Sequence, residues 1–252
     1  MSVLARVSAS TFLGAELVSL PGTADQLSYH TLAERLIDGH GFTFGTTWWP
    51  ATAAGSQTGM WSYLYVLYLT MTYAIAGVNP LAPRLIQAIA VGVLHPLMSF
   101  LIGRRLYGSG VGIVAAAVSS VYAYFVYYSA TLMTESFYIT AILASLYLAI
   151  RLVDVAIAGR SDFELRGRAL ALGLSLGAAV LLRQVFLLFV PVLLIWVWWA
   201  NGRRISTAFL PAVVVAALIL PFTMYNYARF GRFVLLNTNT GYAFFWANHP
   251  IY

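Results

Sequence analysis

The amino-acid sequence predicts an all-α polytopic integral membrane protein, a helix bundle whose outer first loop carries juxtamembrane helices. Of the 252 residues, 61% are hydrophobic and only 9% are charged, and the mean hydropathy is +0.80. A soluble domain carries about a quarter charged residues and roughly half apolar ones, so the composition excludes that class. The absence of cysteine also excludes a disulfide-stabilised scaffold.

Four apolar stretches approach the roughly 20 residues that a helix needs to cross the hydrocarbon core of a bilayer. A fifth, Ala169–Trp199, is 31 residues long and contains Arg183. One straight helix would place Arg183 at mid-bilayer, at a cost of about 2.5–3.5 kcal/mol. We therefore favour two short helices with Arg183 at the turn between them, which gives about six spans within residues 85–225. The other four stretches are Arg84–Gly103, Val111–Tyr128, Ser136–Val153 and Ile205–Tyr225.

The arginines predict which ends of the helices face the cytoplasm. The positive-inside rule assigns arginine-rich loops to the cytoplasm. The loop that ends at Glu135, the turn at Arg183 and the region 226–252 are then expected outside. Arginines in ones and twos form no nucleic-acid-binding face, so nucleic acid is not expected among the partners. The arginine-rich loops contain Arg104 and Arg105; Arg151, Arg160, Arg166 and Arg168; and Arg203 with Arg204.

The first outer loop, residues 22–84, begins with a predicted amphipathic helix. Thr23 followed three residues later by Gln26 is a capping-box pattern. Apolar residues then recur at helical spacing. These signals predict a helix over Ala24–Asp38.

Trp61–Gly77, later in the same loop, is apolar but short and contains several tyrosines. It either crosses the bilayer or lies in the interface, where Tyr and Trp are favoured. A crossing would put Asp25 and Glu135 on opposite faces of the membrane. The interfacial alternative puts both carboxylates outside.

Two of the eight acidic residues, Asp25 and Glu135, are candidate catalytic groups. Each occupies the first turn of a predicted helix, where a carboxylate gains about 0.3–1 kcal/mol from the helix dipole. Either carboxylate alone is therefore explained as a charge that stabilises its helix. Two carboxylates that converge on one face of a membrane bundle favour a functional interpretation. Arg183 is a third candidate, which either extends to lipid headgroups or binds a phosphate through its planar guanidinium.

The order and spacing of several short motifs, over about residues 22–248, resemble the GT-C membrane glycosyltransferases. The resemblance is to the family 39-like bacterial group that includes the lipid A aminoarabinose transferase and the protein O-mannosyltransferases. In chain order the motifs are DQLSYHTLA at Asp25–Ala33, GHGF at Gly39–Phe42, PLAPRLIQAIAVGVL, GRRLYG, YYSATLMTESF, LGAAVLLRQ and PFTMYNYARFG.

The resemblance implies transfer of a sugar from a polyprenyl-phosphate donor to a lipid, polysaccharide or protein acceptor. Asp25 matches the family's general base, Glu135 its second acid, and Arg183 the basic residue that contacts the carrier phosphate. Tyr29 and Asn226 are expected to bind substrate. One base and direct displacement predict inversion at the anomeric carbon. The protein is then expected in the bacterial plasma membrane, in contact with membrane lipids, with the active site facing outside.

Glu135 is expected to position either the acceptor or a divalent metal ion, although the four histidines show no metal-ligand spacing. A transporter or a non-catalytic membrane subunit is the alternative function, but a transporter would show repeated halves and charges near the midplane. The sequence shows no internal repeat.

The chain also departs from the family pattern. Ser28 stands where some relatives carry a basic residue, and Tyr225 precedes Asn226 where many have arginine. The family's usual first span and long C-terminal half are not recognised. These departures predict an incomplete chain.

Overall fold

The computed structural model describes residues 1–50, 52–159 and 161–249, except for the side chains of Thr240 and Trp246. Over these ranges the chain forms eleven α-helices and one 3₁₀ segment, without a β-strand, so the predicted all-α fold is confirmed. In chain order the helices are α1 Ser2–Leu13, α2 Asp25–Ile37, α3 Tyr63–Ala76, α4 Leu81–Tyr107, α5 Ser109–Val121, α6 Ala123–Ser129, α7 Glu135–Ile157, α8 Asp162–Leu182, α9 Val190–Ala200, α10 Ser206–Phe230 and α11 Thr240–Asn248, with the 3₁₀ segment at Gln184–Leu188.

Four of the described helices, α4, α7, α8 and α10, are long and apolar enough to cross a membrane. A fifth candidate is the pair α5 and α6, which is bent by 50°. The predicted span Val111–Tyr128 falls on this pair and stays a prediction, with a break in the helix at Tyr122. Gln184–Ala200 is a shorter apolar helical stretch, and the total of about six spans stays a prediction.

The expected turn at Arg183 is confirmed. Helix α8 ends at Leu182, and Arg183 has an extended backbone with φ −144° and ψ 107° before the 3₁₀ segment begins. Helix α8 begins earlier than expected because the side chain of Ser161 caps it, accepting a hydrogen bond from Glu164 N at 3.3 Å. The arginine thus lies at the end of a helix rather than within one.

Helix α1 lies in the polar N-terminal stretch and packs against α4. Its Arg6 is fully buried and donates hydrogen bonds to the carbonyls of Ser119 (3.0 Å) and Ser120 (2.8 Å). The last carbonyls of a helix lack partners within the helix, and a cation is favoured there. Arg6 therefore caps the end of α5, directly before the bend.

The first loop is anchored by α2, whose bounds lie within one residue of the predicted helix. The predicted capping box does not form: the Thr23 hydroxyl donates to Leu20 O at 2.9 Å, and the helix has no side-chain cap. Gln26 is instead buried and accepts a hydrogen bond from Leu132 N at 2.9 Å. This contact ties the N-terminal turn of α2 to the segment that leads into α7.

Candidate active site

A cavity of about 660 Å³ lies where the start of α2, the turn after α8 and the segment after α10 meet. Its volume is typical of sites for small ligands, which measure roughly 300–1,000 Å³. The lining combines acidic, basic, amide and aromatic side chains. The polar and aromatic members are Asp25, Tyr29, Trp49, Trp61, Ser62, Thr134, Arg183, Gln184, Asn237, Asn239 and Tyr242.

Asp25 is the first residue of α2 and is exposed to the cavity. The indole N–H of buried Trp61 donates to Asp25 Oδ1 at 3.2 Å, and Trp61 itself packs edge-to-face on Phe44. In the part of the chain that the structure describes, no Arg or His lies within ion-pair distance of this carboxylate. One oxygen is therefore held in place, and the carboxylate keeps its capacity to accept a further hydrogen bond.

Arg183 is held by the start of α7. Its Nη2 forms an ion pair with Glu135, whose side chain is buried, and its Nε donates to Thr134 Oγ1 at 3.2 Å. The guanidinium also lies 5.8 Å from the ring centroid of Tyr138. The Arg183 side chain is nevertheless 42% exposed. Its remaining donors are thus available on the cavity side.

Tyr29 lies on α2 and lines the same cavity as Asp25 and Arg183. Burial raises the pKa of its phenol, and the charge of Asp25 raises it further. Glu135 adds a smaller increase, whereas Arg183 and a backbone hydrogen bond at Ser62 lower it. The phenol is therefore protonated at neutral pH and is available as a hydrogen-bond donor.

The structure brings together four of the five residues singled out in the sequence. Asp25, Tyr29 and Arg183 line the cavity, and Glu135 reaches it through Arg183. Asp25 and Glu135 therefore lie on the same side of the bundle, which requires an even number of crossings between them. Together with the 14-residue length of α3, about 21 Å against a hydrocarbon core of about 30 Å, this favours the interfacial alternative for Trp61–Gly77.

Asn226 is the residue that does not join them. It is fully buried in α10, donates to Val234 O (3.1 Å) and Leu236 O (2.8 Å), and accepts from the Tyr63 hydroxyl at 2.6 Å. Its amide is occupied by the chain itself. Asn226 thereby fixes the start of the segment that carries Asn237 to the cavity.

Two cavity features were not identified as functional from the sequence. Trp61 begins the short apolar stretch of the first loop, but nothing in its neighbourhood in the sequence indicates a hydrogen bond to Asp25. Asn237 lies in a short polar stretch without a motif, and its backbone N–H donates to Gln184 Oε1 at 2.9 Å. Both contacts join residues that are distant in the sequence, so local patterns contain no signal for them.

The expectation that Glu135 binds a divalent ion finds no suitable donor set among the described residues. There, no three His, Asp or Glu side chains converge in a way that suits a metal ion. The Glu135 carboxylate is engaged by Arg183, whereas hard divalent cations take six or more oxygen ligands. The residues that the structure describes at this cavity therefore do not fit a divalent metal ion.

Residues 47–227 match the family model described as dolichyl-phosphate-mannose-protein mannosyltransferase. No curated protein and no solved structure matches the chain. The matched range contains Trp61, Glu135 and Arg183, and it begins after Asp25 and Tyr29. The family match therefore does not bear on Asp25, whose place in the site rests on the cavity geometry alone.

Proposed function

The chain belongs to the dolichyl-phosphate-mannose-protein mannosyltransferase family, a family of GT-C membrane glycosyltransferases, and on that premise we propose that it transfers a sugar from a polyprenyl-phosphate donor to an acceptor hydroxyl. The observation that carries the proposal is that Asp25 and Arg183 line the same cavity. A carboxylate and a guanidinium at one cavity are the two groups that such a transfer needs.

The leaving group is the carrier phosphate, and Arg183 is its proposed binding residue. A guanidinium presents several N–H donors in a fixed plane, which suits phosphate oxygens. Because one edge of Arg183 is held by Glu135 and Thr134, its free donors have a defined direction. Glu135 acts here as a positioning residue for Arg183, and it is not assigned a proton-transfer role.

The nucleophile is the acceptor hydroxyl, and Asp25 is its proposed general base. As the hydroxyl oxygen forms a bond to the anomeric carbon, its proton passes to the Asp25 carboxylate. The bond between the anomeric carbon and the phosphate oxygen breaks, and its electron pair leaves with the phosphate, where Arg183 stabilises the charge. A single direct displacement inverts the anomeric carbon.

Tyr29 and Asn226 have separate proposed roles. The protonated Tyr29 phenol lines the cavity together with the two charged groups, and its proposed role is to donate to a substrate oxygen. Asn226 supports substrate binding indirectly, through the segment that it anchors.

The location of the site follows from the donor. Its prenyl chain stays in the bilayer, so the reacting phosphate must be bound at a membrane boundary. The arginine distribution supports an outer-face position for that boundary, and we propose that the membrane is the bacterial plasma membrane. The acceptor, whether lipid, polysaccharide or protein, then approaches from outside.

The test is sugar transfer by the full chain in proteoliposomes. Polyprenyl-phosphate mannose with a labelled sugar serves as donor, and membranes of a strain that lacks the protein serve as acceptor. Asp25→Asn should lower transfer by about 10²- to 10⁴-fold, the usual range for loss of a general base. Asp38→Asn is the matched control, because Asp38 is exposed at the other end of α2. Transfer by Asp25→Asn at the wild-type rate would contradict the assignment of the base.

A further inference from the structure

Three amide side chains, Gln184, Asn237 and Asn239, form one wall of the cavity. Gln184 directly follows Arg183 and begins the 3₁₀ segment. Its Oε1 accepts the hydrogen bond from Asn237 N, which joins the turn after α8 to the segment after α10. The wall is therefore uncharged and lies next to the proposed phosphate-binding residue.

The amide group of Asn237 lacks partners within the described chain. Its Oδ1 is shielded from solvent and accepts no hydrogen bond, and its side chain donates none. A buried amide oxygen without a partner lowers stability, so such groups are rare in folded proteins. Rotation of the amide by 180° exchanges its oxygen and nitrogen, so the group can offer a ligand either an acceptor or a donor.

We propose that Gln184, Asn237 and Asn239 bind the hydroxyl groups of the sugar that is transferred. The proposal rests on the proposed function, because it assigns the sugar-binding part of the same cavity. Sugar hydroxyls both donate and accept, and a planar amide offers both capacities without a charge. The sugar is bonded directly to the carrier phosphate, so side chains adjacent to Arg183 are those that reach its ring.

Trp49 supplies the apolar complement to this wall. Its side chain is 68% exposed, lines the same cavity and meets the ring of Tyr242 edge-to-face at 5.5 Å. The C–H face of a sugar ring packs well on an aromatic face, while the hydroxyls at its edge need polar partners. Amides beside an aromatic ring therefore suit a neutral sugar better than a second phosphate.

The first test measures donor binding in the absence of any acceptor. A saccharide acceptor therefore cannot account for an effect of the amide side chains. The full chain in lipid nanodiscs is titrated with polyprenyl phosphate and with its mannose, glucose, galactose, N-acetylglucosamine and arabinose derivatives. The affinity of the tightest-binding sugar derivative is divided by the affinity of sugar-free polyprenyl phosphate. This ratio gives the contribution of the sugar to donor binding. We expect a ratio of at least about tenfold, which Asn237→Ala and Gln184→Ala each reduce severalfold.

Two controls make the binding test specific. Arg183→Ala should weaken binding of the sugar-bearing and sugar-free lipids equally, since it acts on the phosphate. Asn248→Ala, at the exposed far end of α11, should leave the ratio unchanged. An unchanged ratio in Asn237→Ala and Gln184→Ala would overturn the subsite, as would the absence of any sugar that tightens binding.

The second test identifies individual hydroxyl contacts by transfer rates. Donors that lack one hydroxyl are compared with the parent donor in the wild type and in Asn237→Ala. If Asn237 contacts one hydroxyl, Asn237→Ala should transfer the donor that lacks this hydroxyl about as fast as the parent donor. The variant should still transfer the other deoxy donors more slowly than the parent, as the wild type does. Equal loss of rate for every donor would show a structural role and overturn the assignment. Transfer that depends on Asp25 would in that case still support the proposed function.

Discussion

Glu135, the first residue of α7, is ion-paired with Arg183, which lies 48 residues later at the turn after α8. Glu135 is only 7% exposed, and its neighbour Thr134 accepts a second hydrogen bond from the same arginine. The direction of the Arg183 side chain is therefore set by a different helix from the one that it follows. In the proposed mechanism, Arg183 is therefore ordered before the donor phosphate arrives.

Removal of the Glu135 carboxylate should weaken donor binding more than it slows the chemical step. Without its partner, Arg183 loses its fixed direction, and we expect Glu135→Ala to raise the donor KM about tenfold, or ~1.4 kcal/mol. Glu135→Gln keeps an acceptor oxygen and should raise KM less. Initial rates against donor concentration measure both effects, with exposed Glu164→Ala as control. A large fall in kcat at constant KM would instead place Glu135 in the chemistry.

Stability should fall in acid through His30. Its Nδ1 contacts the Tyr73 hydroxyl at 2.9 Å, and burial lowers the pKa of His30 from its ordinary value of 6.5, against an opposing effect of Glu34. As the pH falls through 6.5, the unfolded chain takes up the proton first, so the folded state loses stability. The melting temperature should therefore fall less between pH 7.5 and pH 5.5 in His30→Asn than in the wild type. An equal fall of the melting temperature in wild type and His30→Asn would contradict this prediction. His40→Asn is the control, because His40 is exposed.

The contact between α8 and α10 should not tolerate a methyl group at Gly173. A Cβ atom there would lie 2.6 Å from Val214 Cβ and 3.0 Å from the backbone of Pro211. Gly167, on the same helix, has open space at the corresponding position. Alanine is favoured over glycine in a helix by about 1 kcal/mol, so Gly167→Ala should keep or raise the melting temperature in detergent, whereas Gly173→Ala should lower it by several degrees. Equal effects would show that the two helices do not pack this closely.

The orientation of the bundle can be measured with single cysteines, because the chain has none. Val185 is 64% exposed and lines the cavity, and Arg204 is exposed between α9 and α10. In intact bacterial cells, a membrane-impermeant thiol reagent should label Val185→Cys and should label Arg204→Cys only after permeabilisation. The reverse pattern would place the cavity on the cytoplasmic side.

Hydropathy and charge predict the features that depend on transfer between water and lipid. The break at Arg183 follows from the cost of an arginine at mid-bilayer, and the structure confirms it. The bounds of α2 likewise follow from the spacing of its apolar residues. These features depend on the local sequence, so a single sequence is sufficient to identify them.

Features that depend on tertiary contacts were missed or misjudged. The capping-box pattern at Thr23 is outweighed because Gln26 satisfies the buried N–H of Leu132. The burial of Arg6 depends on carbonyls more than 110 residues later in the chain. The position of Asn237 in the cavity depends on the path of the chain after α10. In each case the partner group is remote, and periodicity contains no information about it.

The role of Asp25 is tested most directly with azide as the sugar acceptor. Azide has no proton to lose, so it can attack the anomeric carbon without a general base while the carrier phosphate leaves. With Asp25→Ala and labelled polyprenyl-phosphate mannose, we expect transfer to hydroxyl acceptors to be lost and the glycosyl azide to form with inverted configuration. Products are identified by mass spectrometry and NMR. Unimpaired transfer to hydroxyls, or an azide product with retained configuration, would contradict the proposed mechanism.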